Sequence, residues 1–313
     1  MIVSVTTPVM ARHKAMLEAA AAGRCDIVYE MTPEAEVIIG DLGPKSLKPA
    51  KKLRWFHLVW AGVDRYEPED FATGAQFTNG SGAYGVTIAE HMVACMLALY
   101  RQLRHYDRLQ QLRCWDQSWQ EGTLEGKTVL ILGAGDIGCA LAKRLRGFDC
   151  KIIGIRRTGK PLPGFDEMYT LDQLDALLPQ ADVVAGCLPG TPETVKLLNE
   201  ARLRRMKPTA LLLNCGRGSL IHTAALETVL LEGYLGGCAL DVTDPEPLPK
   251  DSPLWHMGRV ILTPHISGAS FGHVQEMEDR IYALAAENLR RYLDGEELLN
   301  RVDFSTGYRV RQQ

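Results

Sequence analysis

The sequence predicts an α/β protein built on doubly wound parallel sheets. Three observations point there. Short β-branched and aliphatic runs alternate with helical patterns through most of the chain. One run, TVLIL at 128–132, is followed at once by glycines in G-x-G-x-x-G spacing and then by a helical stretch. At 313 residues the chain also has room for two domains of ordinary size.

The stretch at 126–138, GKTVLILGAGDIG, anchors the reading. A run so apolar suits a strand buried on both faces. Gly133 permits a tight strand-to-helix turn, Gly135 lets the backbone approach a pyrophosphate, and Gly138 lets the helix pack close to the strand. The helix N-terminus then faces the anion. This is the Rossmann-like fingerprint of a dinucleotide site in the strand-to-helix context that supports it.

Composition excludes several classes. A formal charge of −3 leaves no basic footprint for nucleic acid. The N-terminal MIVSVTTPVM lacks a basic leader region and reads as a first strand. The most apolar helical pattern, 88–100, carries Glu90 and His91 and is too short to span a bilayer. None of the eight cysteines forms a C-x-x-C pair, and most lie in apolar runs. Reduced thiols in a cytoplasmic protein are expected, with no disulfide and no metal site.

In chain order, 2–5 reads as a strand, 12–22 as a helix, and 27–29 and 37–40 as short strands. The apolar run 53–59 feeds WAGVD at 60–64. A glycine after a strand marks either a ligand-facing backbone or an ordinary turn. NGSGAYG at 79–85 is rich in turn formers and opens a long helical pattern over 86–108, a crossover between domains. CWDQSW at 114–119 is a polar loop whose Trp115 and Trp119 suit an interface, a pocket wall or a core. Strands follow at 128–132, 151–155, 183–187, 210–214, 237–240 and 260–263. Helices are expected over 137–146, 171–178, 193–206 and 222–232. An amphipathic helix over 272–293, with Ile281, Leu284, Ala285 and Leu289 on one side, returns the chain to the first domain.

The second strand of this fold, in its NAD form, ends in an acidic residue that accepts from the ribose hydroxyls. Here that place reads GIRRTGK. Arg156 lies 18 residues past Gly138, Arg157 and Thr158 follow, and no carboxylate appears before Asp166. Two guanidiniums and a hydroxyl suit a 2′-phosphate. NADP(H) is therefore expected over NAD(H).

Three polar residues follow strand ends in the second half, where an open parallel sheet places its ligands. They are Arg217 in NCGRG, Glu246 in DVTDPEPLP and His265 in TPHISG. Singly, such residues are usually solvated or structural. At consecutive strand ends around one crevice they match a reaction.

At this point the sequence resembles the D-isomer-specific 2-hydroxyacid dehydrogenases over nearly its whole length. The motifs are WAGVD, TIAEH at 87–91, the glycine fingerprint, CLPGTPET at 187–194, NCGRG, ALDVTDPEPLP and LTPHISG. The steps of 29 residues from Arg217 to Glu246 and 19 to His265 are similar to the glyoxylate/hydroxypyruvate reductase branch, as is LNRVDFSTGY at 299–308.

The resemblance implies two Rossmann-like domains, a discontinuous substrate domain at 1–90 and 272–313 and a dinucleotide domain at 91–271. It implies hydride transfer to the carbonyl of a small 2-oxo acid. Arg217 would clamp the carboxylate, and His265 would be the general acid. Glu246 would favour the imidazole's charged form. The backbone of Ala61, Gly62 and Val63 would be a second grip. On the cofactor side it assigns Gly133, Gly135, Asp136, Ile137 and Gly138 to the pyrophosphate, and Arg156, Arg157 and Thr158 to the 2′-phosphate. Leu188 and Pro189 would line the adenosine side. Cys215, Asp241 and Gly268 would surround the nicotinamide, Asp241 accepting from its carboxamide. A homodimer paired after the crossover helix is implied as well. Trp60 and Tyr84 are bulkier than in many relatives, and either narrow the pocket or stack on a substrate tail. Two other readings stand beside this one. A dinucleotide-sensing, corepressor-like protein is disfavoured by the full Arg, Glu and His set. A short phosphoglycerate dehydrogenase is disfavoured by RRT and by the little chain left after the return helix.

Overall fold

The computed structural model describes residues 1–71, 74–118, 120–268, 271–304 and 308–309. Trp119 and residues 305–307 of the LNRVDFSTGY motif lie outside them. The chain divides into two compact units, Met1–Tyr84 with Ala269–Gln313, and Gly85–Gly268.

The first unit opens with β1 (Ile2–Val5), α1 (Ala11–Ala21), β2 (Asp26–Val28), β3 (Val37–Gly40), α2 (Pro44–Leu47), β4 (Trp55–Leu58) and β5 (Gln76–Asn79). The second runs α3 (Gly85–Tyr100), α4 (Leu103–Gln111), β6 (Thr128–Leu132), α5 (Asp136–Leu145), β7 (Lys151–Ile155) and β8 (Glu167–Tyr169). It continues with α6 (Leu174–Leu177), β9 (Val183–Gly186), α7 (Glu200–Leu203), β10 (Leu211–Asn214), α8 (Thr223–Leu231), β11 (Gly237–Leu240) and β12 (Val260–Leu262). The chain then returns to the first unit as α9 (Gln275–Asp294) and the pair β13 (Val302–Asp303) and β14 (Tyr308–Arg309).

In the first unit five parallel strands lie in the order β2-β1-β3-β4-β5. No strand is expected at β5, whose QFTN is polar at both ends; it lies at the end of the parallel sheet beside β4, and its outer side carries an isolated antiparallel bridge from Thr78 to Arg301. Aromatic rings fill one face: Phe77 stacks on Phe56 at 5.5 Å and on Phe71 at 4.7 Å, and Phe304 of the returning chain stacks on Phe77 at 5.6 Å. On the other side α9 is fastened to α1. Asp279 accepts from His13 at 2.8 Å, and Tyr282 stacks on the same imidazole at 4.4 Å.

In the second unit seven parallel strands lie in the order β12-β11-β10-β9-β6-β7-β8. The winding reverses between β6 and β9, so the crevice of the sheet opens at the ends of those strands. β6, β7, β9 and β10 are buried almost throughout, which is why their sequences are unbroken apolar runs.

Two helical expectations are corrected. The pattern over 86–108 is two helices, broken where Gln102 takes a left-handed φ of 53°. α3 buries Ile88, Ala89, Met92, Cys95, Met96 and Leu99, whereas α4 buries nothing, so no single face runs through both. The stretch 193–206 is helical only at α7. Thr194 Oγ1 donates to Pro189 O at 2.7 Å, Lys196 N donates to Ser219 O at 2.6 Å, and Leu198 N to Leu220 O at 3.0 Å. The amides that would build a helix are spent on the 218–221 segment instead.

Candidate active site

The glycine loop forms where β6 meets α5. Gly133 has φ +105°, and a Cβ there would stand 2.8 Å from Cys187 O; one on Gly138 would stand 2.1 Å from Gly133 O. A Cβ on Gly135 would meet nothing within 4 Å. The loop is thus tight on the protein side and open at the N-terminus of α5, the shape an anion needs. Asp136 is committed elsewhere: its Oδ2 accepts from Gly85 N, the first residue of α3, at 2.8 Å.

Arg156 follows β7 and is half-buried; Arg157 and Thr158 are exposed. Among the described residues the Arg156 guanidinium has no hydrogen-bond or ion-pair partner. Asp166, the first carboxylate beyond it, is held by Arg146 at 2.9 Å and by Ile152 N at 2.7 Å.

Arg217 sits on the loop after β10. Asn214 Nδ2 donates to Arg217 O at 2.9 Å and its Oδ1 accepts from Gly216 N at 3.2 Å, folding the loop around a fully buried amide. The flanking glycines let it pass between two other backbones. A Cβ on Gly216 would lie 2.5 Å from Leu188 O, and one on Gly218 only 1.9 Å from Thr243 O. NCGRG is therefore a packing requirement with an arginine carried on it.

His265 follows β12 with a left-handed φ of 54°. Its Nδ1 lies 2.7 Å from Glu246 Oε1. A carboxylate only accepts, so Nδ1 carries the hydrogen and Nε2 is the ring nitrogen that the carboxylate does not engage. The structure brings these two predicted residues into direct contact, both at the carboxyl edge of the sheet that also carries the Arg217 loop.

Asp241, at the end of β11, is buried and accepts four hydrogen bonds. Oδ1 takes Thr263 Oγ1 at 2.7 Å and Ile266 N at 2.8 Å; Oδ2 takes Ser267 N at 3.0 Å and the Ser267 hydroxyl. Burial alone would push this carboxyl's pKa up, but the four donors outweigh it and hold it below the usual range. A carboxylate offers about four acceptor sites, so a carboxamide would share one already in use. Thr263 and Ser267 are absent from the sequence-based site; two hydroxyl residues flanking the histidine in TPHIS were the available signal.

Burial disfavours the thiolate at the cysteines nearby. Burial pushes Cys95 up to about 11 and Cys187 up to about 12, and Cys215 well above its ordinary value. Leu188, Pro189 and Gly268 are partly buried at the same edge.

In the first unit, WAGVD follows β4. Asn79 Nδ2 donates to Ala61 O at 2.7 Å and Gly80 N to Trp60 O at 2.9 Å. These bonds hold the loop by its carbonyls. Among the described residues the amides of Ala61, Gly62 and Val63 have no acceptor. Trp60 packs beside Tyr84 at 6.2 Å and edge-on to Phe271 at 5.5 Å, and Tyr84 OH donates to Val59 O at 2.8 Å. Both bulky residues are thus braced by their own unit.

Comparison with known proteins gives the family. Residues 93–267 match the model of the D-isomer specific 2-hydroxyacid dehydrogenase NAD binding domain. The chain belongs to the D-isomer specific 2-hydroxyacid dehydrogenase family. It is 39% identical to a glyoxylate reductase of Thermofilum pendens over 79% of this chain and 74% of the relative. A family member from Aeromonas salmonicida superposes with a TM-score of 0.85 at 35% identity, covering 97% of this chain and 99% of the other. An NADPH-dependent glyoxylate/hydroxypyruvate reductase of Sinorhizobium meliloti, solved with NADP and sulfate, gives 0.79 at 25% identity, covering 98% and 99%. The chain is accordingly an oxidoreductase with a nicotinamide-binding domain. No described helix is long and apolar enough to cross a membrane.

Proposed function

We propose that this dehydrogenase reduces small 2-oxo acids, glyoxylate and hydroxypyruvate among them, to D-2-hydroxy acids with NADPH. The observation that carries the reading is the His265 Nδ1 to Glu246 bond of 2.7 Å, which leaves Nε2 as the proton-bearing atom. His265 gives that proton to the carbonyl oxygen as the alkoxide develops and recovers it in the reverse direction. Glu246 fixes the ring and its tautomer. Arg217, permanently charged and forked, holds the substrate carboxylate; the amides of Ala61, Gly62 and Val63, without an acceptor among the described residues, are suited to binding an anion. When bound, the cofactor supplies the hydride. Gly133, Gly135, Ile137 and Gly138 would hold its pyrophosphate, and Arg156, Arg157 and Thr158 its 2′-phosphate.

The preference for NADPH is supported by the Arg156 guanidinium, unpartnered among the described residues, and by Asp166 being tied to Arg146. A homodimer is supported by Leu103, Leu112 and Trp115, exposed at 54%, 68% and 92% on and after α4; sedimentation velocity giving only monomer would remove it. The eight free cysteines accord with action in the cytoplasm.

The test is a panel of 2-oxo acids, from glyoxylate through branched and aromatic ones, assayed with NADPH and NADH. Highest kcat/KM on a small 2-oxo acid with NADPH is expected. No turnover of any member, or a clear preference for NADH, would overturn the reading.

A further inference from the structure

His91 closes the TIAEH motif on α3 and has no part in the mechanism above. Its Nε2 lies 3.2 Å from Thr263 Oγ1. Which atom donates follows from counting hydrogens. The Asp241 carboxylate only accepts, and the single hydroxyl hydrogen of Thr263 is committed to Asp241 Oδ1 at 2.7 Å. The contact with His91 is therefore a bond only if the imidazole supplies the hydrogen. His91 Nε2–H donates to Thr263, and Thr263 donates to Asp241, in one direction. Cys95 Sγ, one turn further along α3 and 3.5 Å from the same nitrogen, is at most a weak second acceptor.

The other bonds of Asp241 surround His265. Its carbonyl accepts His265 N at 2.8 Å, and its carboxylate accepts Ile266 N and Ser267 N. Residues 263, 265, 266 and 267 are thus all fastened to one aspartate, and the residue in their midst takes a left-handed backbone that a non-glycine holds only when its surroundings impose it. The turn by itself is a loop. The His91 bond ties it to α3, a 16-residue helix packed against α5.

We propose that His91 is a positioning residue for the proton donor, fixing through Thr263 and Asp241 the turn that presents the His265 imidazole. The proposal rests on the reading of His265 as the acid. It requires a hydrogen-bond donor at position 91. Glutamine, whose side-chain amide reaches a similar distance, should serve; leucine should not.

The test compares His91→Leu, His91→Gln, Thr263→Val and the His91→Leu/Thr263→Val double variant in the full chain, on the 2-oxo acid turned over fastest. His265→Ala is measured alongside. His91→Leu and Thr263→Val are each expected to lower kcat about tenfold, because sub-ångström misplacement of a reacting group is costly. The double variant should be no worse than the worse single one. His91→Gln should stay within about threefold of wild type. NADPH affinity, read by its fluorescence, should be unchanged throughout. If His265→Ala is inactive while His91→Leu and Thr263→Val keep wild-type kcat, the positioning role is overturned and the acid role stands. Glutamine performing no better than leucine, or losses that multiply in the double variant, would also overturn the positioning role. Near-normal turnover by His265→Ala would instead overturn the acid role on which it rests.

Discussion

A methyl group added at Gly218 would test whether the loops carrying Arg217 and Glu246 depend on their mutual fit. The Cβ of Gly218→Ala would stand 1.9 Å from Thr243 O, 2.2 Å from Thr243 C and 2.9 Å from Asp244 N. Ordinary contacts begin at 3.4 Å, and contacts below 3.0 Å essentially do not occur, so the two backbones must part by more than about 1 Å. Both obstacles are backbone, and no side chain can swing aside. Arg217 precedes the substituted residue directly, and Glu246 lies three residues beyond Thr243. A displacement of that size at a reacting group costs about 10²-fold in rate, or about 2.7 kcal/mol of transition-state stabilisation. The expectation for Gly218→Ala is a loss of about 10²-fold in kcat/KM. Gly258→Ala, where a Cβ meets nothing within 4 Å, is the control and should match wild type. Steady-state kinetics, NADPH fluorescence titration and a thermal melt separate the cases. A folded Gly218→Ala protein with kcat/KM within twofold of wild type would refute the reasoning.

Three further outcomes are expected. Arg156→Ala combined with Arg157→Ala should raise the KM for NADPH at least tenfold more than that for NADH, since only the former has the phosphate the guanidiniums would grip; equal effects would mean that they touch no phosphate. Arg217→Lys keeps the charge but loses the fork, so KM for the 2-oxo acid should rise about tenfold, and unchanged kinetics would contradict the clamp. His57 on β4 is fully buried, bonded to Thr78 Oγ1 at 2.8 Å, and burial pushes its pKa down to about 3 from 6.5. A folded-state value below the unfolded one means stability that is intact above about pH 6.5 and lost as pH falls toward 3, because only the unfolded chain takes up the proton. Between pH 7 and 5 this amounts to about 2 kcal/mol. Urea unfolding across that range should show a steeper loss for wild type than for His57→Leu; parallel curves would be the contrary result.

Much of the fold was legible because parallel strands buried on both faces leave apolar runs that need no neighbours to interpret. TVLIL, VVAG and LLLN are examples, and the glycines after the first of them report a local steric need. The edge strands β5 and β8 were not legible, because QFTN and EMY carry no such pattern. The helix expected over 193–206 failed because its amides are claimed by a segment 20 residues later, a tertiary fact that local propensity cannot contain. Arg217, Glu246 and His265 could be read from their place after strand ends. The Asp241 network could not. Thr263, Ser267 and His91 lie in the motifs TPHIS and TIAEH, but only the geometry shows that Asp241 bonds the first two and is linked to His91 through Thr263.

Turnover by His265→Ala tests the proposed proton donor at Nε2 of His265 most directly. With NADPH affinity unchanged by fluorescence titration, kcat on the preferred 2-oxo acid should fall at least about 10²-fold. A variant that binds NADPH normally and turns over at close to the wild-type rate would contradict it.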